Sequence, residues 1–258
     1  MENTNFSIQR IGWLIRNDIW EGYKLIGIFA LAIFGFFLIP YLNLDVHEDP
    51  TRHEILYSLL LIGGGFIFTS VVFRELYTKP RGQFYLTLPA SHLEKISSKW
   101  VLSAILYPLG ITIGYWLFSS IANGLYEMLH GQSPDSFLSY WQSENQRMLP
   151  FVYIVLQSIF FLGAITFTKY NIFKTGFSLF IAGLSLVIIF AMLLRLVLWK
   201  YFDGMQFPNQ EMRVLEPSTS FQDFVTSTIP NIAYYLFWFV LAPYLLLVSY
   251  FKLKEREI

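Results

Sequence analysis

The chain has no cysteine among its 258 residues. This absence excludes disulfide bonds, thiolate metal sites and cysteine nucleophiles. Charged residues are also scarce, at 14%, whereas hydrophobic residues make up 55% and aromatic residues 19%. Soluble domains carry about a quarter of their residues as charged ones, so the composition is typical of a membrane protein. The net charge of zero at pH 7 gives no reason to expect a nucleic-acid partner.

The sequence also lacks residues on which several classes of membrane protein depend. There is no GxxxxGK[ST] motif, so the chain cannot bind nucleotide phosphates in a P-loop. No Asp, Glu or His lies within its six apolar stretches, which argues against ion-coupled transport. The segment Gly183-Leu184-Ser185-Leu186-Val187 lacks the second glycine of a nucleophile elbow, and no histidine in a span could activate Ser185.

Six apolar stretches are each long enough, at roughly 17 to 25 residues, to cross a bilayer as a helix. They run about Leu25 to Leu42, Ile55 to Phe73, Trp100 to Ile121, Phe151 to Phe167, Phe177 to Trp199 and Ile232 to Phe251. The predicted fold is all-α: one polytopic membrane domain over residues 1–258, with six transmembrane helices.

The basic residues are distributed unevenly among the connections. Of the 18, 13 lie in four segments: Arg10, Arg16 and Lys24; Arg74, Lys79, Arg81, Lys95 and Lys99; Lys169 and Lys174; Lys252, Lys254 and Arg256. By the positive-inside rule these segments face the cytoplasm. We therefore expect both termini in the cytoplasm and the chain in a plasma membrane. The absence of a targeting segment fits a bacterial inner membrane.

Residues 6–24, ahead of the first stretch, have the pattern of an amphipathic helix. Ile8, Ile11, Ile15 and Ile19 recur at helical intervals, with charged residues elsewhere around the helix. The position next to a span predicts a helix that lies in the cytoplasmic interface, in contact with lipid. An ordinary packed helix would give the same pattern.

The second connection, Arg74 to Lys99, is predicted to be the most structured cytoplasmic segment. Lys79-Pro80-Arg81-Gly82 is typical of a turn, and Leu86 to Ala90 of a break before a helix. Ser91 followed by Glu94 has capping-box spacing, so a helix is expected to begin there and to continue into the third span. The alternative is a connecting loop that merely obeys the basic-inside bias.

Glycines and prolines within the spans predict close contacts and bends. Gly63-Gly64-Gly65 in the second span, and Gly110 with Gly114 in the third, favour close packing within the chain over a dimer contact. Pro108 and Pro243 are expected to kink their helices.

The connections on the outer side are predicted to be solvated. The first groups five possible metal ligands: His47, Glu48, Asp49, His53 and Glu54. His53-Glu54 does not continue to the second histidine of an HExxH motif, so a solvated loop is the interpretation that we adopt. Two longer connections, Gly124 to Pro150 and Lys200 to Pro230, are expected to cover the surface or to gate a pathway.

Taken together, these features resemble the membrane-spanning permease subunit of type-2 ATP-binding-cassette (ABC) exporters. The closest local similarity is the segment Leu86 to Lys95 with Lys99. It is similar to a pattern of Leu-Pro, a small residue and Ser, then Glu and Lys, that follows the second span of such permeases. The similarity of architecture covers nearly the whole chain.

The resemblance implies that the second connection contacts a separate ATPase subunit. The residues that it assigns to this coupling surface are Glu75, Arg81, Leu88, Pro89, Ser91, Glu94 and Lys95. It also implies that two permease subunits, identical or homologous, work with two ATPase subunits and open alternately to each face of the membrane. The chain itself would then be no enzyme and would hold no cofactor.

Two other functions remain open at this stage. A membrane scaffold or assembly factor would bind other proteins without transport, and a neighbouring gene for a cassette ATPase would argue against it. A membrane-embedded enzyme would require that the cluster from His47 to Glu54 binds a metal. The sequence identifies neither the cargo nor the direction of transport.

Overall fold

The computed structural model describes residues 6–43, 51–77, 90–131, 135–142, 144–167, 169–197 and 229–255. Within these ranges the chain is helical and contains no strand. The α-helices are α1 (Ile8–Asn43), α2 (Thr51–Ser58), α3 (Gly65–Val71), α4 (His92–Val101), α5 (Tyr107–His130), α6 (Phe137–Trp141), α7 (Glu144–Thr166), α8 (Asn171–Val197), α9 (Ile229–Tyr235) and α10 (Ala242–Lys254).

Among the described residues, three π-helical segments and one 3-10 turn lie between these α-helices. The π-helical segments are π1 (Leu59–Gly64), π2 (Leu102–Leu106) and π3 (Leu236–Leu241), and a 3-10 turn covers Arg74–Tyr77. The chain divides into two compact units, one of Met1–Ile172 with Ala242–Ile258 and one of Phe173–Leu241. The core and the candidate site described below lie in the first unit.

Five helical stretches of the described residues are long and apolar enough to cross a membrane. They are His53–Val71, His92–Leu129, Gln146–Thr166, Asn171–Leu193 and Pro230–Lys254. They coincide with the second to sixth predicted spans, whose helical character is thereby confirmed. The first predicted span, Leu25 to Leu42, falls on α1 and stays a prediction as a membrane span.

The amphipathic segment at the N-terminus does not form a helix of its own. α1 runs without interruption from Ile8 to Asn43, so the segment forms the first turns of the helix that carries the first predicted span. No proline lies in α1 before Pro40, and nothing else in the sequence between the two parts breaks the hydrogen-bond ladder. A separate interfacial helix, which would have to end near Lys24 before the first span, is therefore absent.

The helix predicted to begin after Ser91 is confirmed. Ser91 has extended backbone angles, φ −67° and ψ 156°, and caps α4. Its Oγ accepts the Glu94 N–H at 3.3 Å, and Glu94 Oε2 accepts the Ser91 N–H at 2.8 Å, which completes the capping box. α4 then continues through π2 into α5, which ends where Gly131 adopts φ 71°.

The first unit has two apolar cores, one towards each end of its helices. One core contains Tyr57, Leu61, Tyr115, Phe118, Ala122, Phe137 and Tyr153. The other contains Val72, Phe73, Ile96, Phe161, Ala164, Ile165 and Leu253. α7 contributes to both cores and packs against α3 and α10. It therefore forms the axis around which the unit is assembled.

His53 is buried, contrary to the solvated loop that we expected for it. It lies in the first turn of α2, and only 1% of its surface is exposed. Nε2 lies 3.1 Å from the Asp135 carbonyl oxygen and Nδ1 lies 3.0 Å from the Tyr115 hydroxyl. Because a carbonyl can only accept, Nε2 donates to Asp135, and Nδ1 is paired with the Tyr115 hydroxyl. Both polar ring atoms are thus paired, which permits burial.

The metal site that His53 was considered for is not assembled by the residues that the structure describes. No group of three or more His, Cys, Asp or Glu is placed to hold a metal ion within these ranges. Glu54 is exposed, and His47, Glu48 and Asp49 lie outside the described residues. The partners of His53 are instead a tyrosine and a backbone carbonyl.

Part of the connection from Gly124 to Pro150 packs into the core, whereas the sequence predicted a surface cover or a gate. α5 extends to His130, α6 occupies the middle and α7 begins at Glu144. The Phe137 ring of α6 lies 4.9 Å from the Tyr115 ring and 5.4 Å from the Tyr57 ring, between centroids. Most of the connection from Lys200 to Pro230 lies outside the described residues.

The bends expected at Pro108 and Pro243 coincide with π-helical turns. π2 ends at Leu106 and π3 at Leu241, in each case two residues before the proline. Proline has no N–H, and its ring crowds the carbonyl four residues earlier. A wider π turn relieves that crowding, which accounts for the position of both segments.

Gly64 and Gly65 admit tyrosine side chains from neighbouring helices. A Cβ on Gly64 would lie 2.5 Å from the Tyr107 hydroxyl oxygen, and a Cβ on Gly65 would overlap the ring of Tyr153. The close packing predicted for the glycine triplet is therefore present. Nothing lies within 4 Å of a Cβ on Gly110 or Gly114, so the described residues do not provide the packing predicted for that pair.

We expect Gly65→Ala to destabilise the protein by about 1–3 kcal/mol, because the added methyl group must displace the Tyr153 ring from a packed core. Gly110→Ala is the matched control, since its methyl group meets open space. Thermal unfolding of both variants in the same detergent measures the difference. Equal stability of the two variants would contradict the packing described here.

Candidate functional site

Five charged side chains meet where α1, the 3-10 turn and α4 come together. They are Arg10, Asp18, Glu75, Glu94 and Lys99, and we call them the charged cluster. The 3-10 turn directly follows the second predicted span, and α4 leads into the third. Glu75 and Glu94 are among the residues that the sequence analysis assigned to coupling.

Glu94 fixes the beginning of α1 to the beginning of α4. Its side chain has no exposed surface. Oε1 accepts the Ser7 N–H at 2.7 Å and lies 3.4 Å from Arg10 Nη2, while Oε2 accepts the Ser91 N–H. Both N–H groups belong to helix N-termini, where the positive end of the helix dipole favours a carboxylate. One ionised side chain therefore accepts hydrogen bonds from the N-termini of two helices, α1 and α4.

Lys99 joins α4 to two other segments. Its Nζ donates to Asp18 Oδ1 at 2.9 Å and lies 3.5 Å from Glu75 Oε2. The Lys99 side chain is only 4% exposed, and Asp18 and Glu75 are also largely covered. Because these charges are largely shielded from water, loss of the ammonium would remove a cation that two carboxylates share.

Two carboxylates compete for the ammonium of Lys99. Burial raises the pKa of Asp18, and Lys99 offsets part of that rise. Burial also raises the pKa of Glu75 against the effect of Lys99, and the neighbouring charges of Asp18 and Glu21 raise it further. Asp18 Oδ2 is buried and has no hydrogen-bond partner in the described part of the chain. The folded protein therefore favours the protonated carboxyl groups more than the unfolded chain does.

An apolar layer supports α4 from within the first unit. Ile96 of α4 packs in the core that contains Val72, Phe73 and Leu253. Leu253 belongs to α10, which also contacts α4. α4 is thus held by charges towards α1 and by apolar contacts towards α10 and the end of the second predicted span.

The predicted coupling residues fall into two groups. Glu75 and Ser91 are partly exposed, whereas Glu94 and Lys95 are buried, with 0% and 1% of their surfaces exposed. A protein docking onto this conformation would touch the exposed side chain of Leu93 rather than Glu94 or Lys95. Arg81, Leu88 and Pro89 lie outside the described residues.

Asp18 is a member of the cluster that sequence reasoning missed. It lies four residues after Leu14 and seven after Ile11, so it falls on the same face of α1 as two apolar residues. A carboxylate on an apolar stripe is a signal of a buried partner. The identity of that partner, Lys99, had no local signal, because the two residues are 81 positions apart.

No protein-family model matches the chain, and neither the curated proteins nor the solved structures give a significant match. The function must therefore be inferred from the site itself. Its charged groups are paired across segments, so the cluster joins α1, the 3-10 turn and α4. The arrangement is suited to transmit a displacement from one helix to another.

We expect thermal stability to fall as the pH rises from about 4 through the raised pKa values of Asp18 and Glu75, because the unfolded chain releases these protons at lower pH. Asp18→Asn should flatten this decline. Melting curves between pH 4.5 and 8.5 measure it, with the exposed carboxylate variant Glu255→Gln as control. An Asp18→Asn profile parallel to that of the natural protein would contradict the description of the cluster.

Lys99→Met should lower the free energy of unfolding by about 3 kcal/mol, because it removes the cation that two largely covered carboxylates, Asp18 and Glu75, share. Lys252→Met removes a lysine from an exposed pair with Glu255 and should cost less than about 1 kcal/mol. Unfolding in mixed micelles compares the two. A cost of Lys99→Met no greater than that of Lys252→Met would show that the cluster contributes little.

Proposed function

We propose that the chain is the membrane permease subunit of an ATP-driven ABC exporter and works with a separate ATPase subunit. The observation that carries this proposal is the contact of Lys99 with Asp18 and Glu75. It joins α1, the end of the second predicted span and the helix that leads into the third. The similarity of Leu86 to Lys99 to the corresponding segment of such permeases supports the same function.

Both ends of the second connection are attached to the charged cluster. At one end Glu75 lies against Lys99. At the other end Ser91 donates its N–H to Glu94, and Glu94 accepts the Ser7 N–H at the start of α1. The second connection therefore begins and ends at the cluster. A protein that pulls on it therefore displaces the cluster as a whole, and with it α1 and α4.

α4 offers a path from the cluster into the membrane domain. It is continuous with π2 and α5, which together cover the third predicted span. A helix resists bending, so a movement at Glu94 is carried along its axis. The ATPase subunit would supply the movement when its nucleotide sites close, since this chain has no P-loop motif of its own.

The partners and the location follow from the same proposal. The ATPase subunit is soluble and uses cellular ATP, so the connection and both termini face the cytoplasm of a plasma membrane, as the basic residues indicate. A second permease, identical or homologous, completes the pathway. The exposed apolar helices contact membrane lipid.

A membrane scaffold or assembly factor is the second candidate. The burial of Glu94, Lys95 and Lys99 suits a static clamp as well as a transmitting one. Such a protein would keep α1 and α4 in place for a partner that consumes no ATP. The two functions differ in the partner that they require.

Purification from the native membrane in mild detergent, followed by mass spectrometry, should recover a cassette ATPase with the natural chain. Leu93→Asp should reduce this recovery at least about tenfold, because it places a charge in the exposed surface of α4 next to the connection. Leu138→Asp is the matched control, since Leu138 is similarly exposed but lies on α6, near the other end of the helices.

Three results would count against the transporter. They are a purified complex without any ATPase, an ATPase retained by Leu93→Asp, and an ATPase lost with Leu138→Asp. Orientation is checked separately with Leu93→Cys, because the natural chain has no competing thiol. An impermeant thiol reagent should label this variant in inverted vesicles and not in intact cells.

A further inference from the structure

The end of π1 presents a backbone carbonyl to a neighbouring helix. The N–H of Gly65 bonds to the carbonyls of Leu61 and Ile62. It does not bond to the Leu60 carbonyl, five residues earlier, which would be its partner in a continued π-helix. This is the step at which a π-helical register returns to an α-helical one. The Leu60 carbonyl accepts the Tyr107 hydroxyl at 2.6 Å. A side chain of α5 thus satisfies an acceptor of the second predicted span.

π2 shows the same arrangement one helix further on. The N–H of Tyr107 bonds to the Leu102 carbonyl, and the next residue, Pro108, has no N–H to offer. The Ser103 carbonyl accepts the Tyr153 hydroxyl at 3.0 Å. A tyrosine hydroxyl therefore caps one carbonyl in each of two adjacent π segments. In a bilayer this matters, because lipid offers no donor.

The two segments differ in what maintains them. π2 is followed by Pro108, which denies the helix one donor in any register. The second predicted span contains no proline, so its backbone can form an unbroken α-helix. What favours π1 is the Tyr107 hydroxyl, for which Gly64 leaves room. A proline therefore maintains π2, whereas no proline maintains π1.

The part of the span before π1 is fixed. His53 is bonded to Tyr115 and to the Asp135 carbonyl, and the Tyr57 hydroxyl lies 2.9 Å from Thr112 Oγ1. The part after π1 leads to Val72, Phe73 and Glu75 of the other end. A change of one residue in register would then be taken up by α3 and the 3-10 turn, and the contacts of α3 with α7 and of Val72 and Phe73 with the second core would have to form again. It corresponds to a rotation of about 100° and a shift of about 1.5 Å.

We propose that the bond between the Tyr107 hydroxyl and the Leu60 carbonyl is the latch of a one-residue register switch in this helix. With the latch closed, π1 persists and Glu75 faces Lys99. With the latch open, residues 59–64 become α-helical and α3 rotates together with the 3-10 turn that carries Glu75. The switch needs no ATPase partner, so it can be tested independently of the proposed function.

Pairs of spin labels measure the rotation, because the natural chain has no cysteine and each engineered pair is unique. One pair, Val71→Cys with Leu93→Cys, joins exposed positions of α3 and α4. A label about 5 Å from the helix axis moves by about 8 Å when the helix rotates by 100°. A second pair, Ile55→Cys with Leu117→Cys, reports on the fixed part.

Tyr107→Phe in lipid nanodiscs should shift the Val71–Leu93 distance distribution, or add a second population, while the Ile55–Leu117 distribution stays unchanged. Tyr234→Phe removes an exposed hydroxyl on α9 and should leave both distributions as they are. Gly64→Ala should reproduce the effect of Tyr107→Phe, because its methyl group displaces the hydroxyl. If Tyr107→Phe does not fold, the distance distributions of Gly64→Ala are the test of the switch.

A static role for Tyr107 predicts a different result. The variants would then melt at lower temperature, yet both label pairs would keep the distributions of the natural chain. That result would overturn the switch. A shift of the Ile55–Leu117 pair in the same variants would also overturn it, because the fixed part would have moved.

Discussion

The ion pairs of Lys99 with Asp18 and Glu75 are the interaction on which the arrangement of α1, the 3-10 turn and α4 depends. The Lys99 ammonium lies between carboxylates of α1 and of the 3-10 turn, and little of it is exposed to water. A charge in such a place is stable only while its partners stay close. A displacement of the 3-10 turn would move Glu75 relative to Lys99 and so change the charge that surrounds Asp18 of α1.

Local patterns predicted much of the fold. The second to sixth spans coincide with helices, because a run of apolar residues of sufficient length suffices to recognise them. The π turns π2 and π3 end just before Pro108 and Pro243, where the sequence analysis expected kinks. The kinks themselves stay a prediction. The burial of His53 was missed, because its hydrogen-bond partners lie 62 and 82 positions away. The continuity of α1 was missed because an interfacial and an upright helix share one amphipathic pattern.

The sequence predicted only those contacts of the site that join residues close together in the chain. Ser91 and Glu94 form their capping box within four residues, so their spacing was enough. The contacts of Glu94 with Ser7, and of Lys99 with Asp18, join segments more than 80 positions apart. No periodicity reports such a pairing. The coupling role of Glu75, Arg81, Leu88, Pro89, Ser91, Glu94 and Lys95 stays a prediction.

The length of α1 has a geometric consequence. Its 36 residues extend about 54 Å, whereas the hydrocarbon of a bilayer is about 30 Å thick. An upright α1 would therefore project beyond the lipid, and Glu94 and Lys99 bind its first half to α4, the leading part of another long helix. Two helices that are joined to each other, as α1 and α4 are here, resist tilting better than a single helix does. A protein that approached this side would contact the paired first turns of α1 and α4 before it reached the membrane surface.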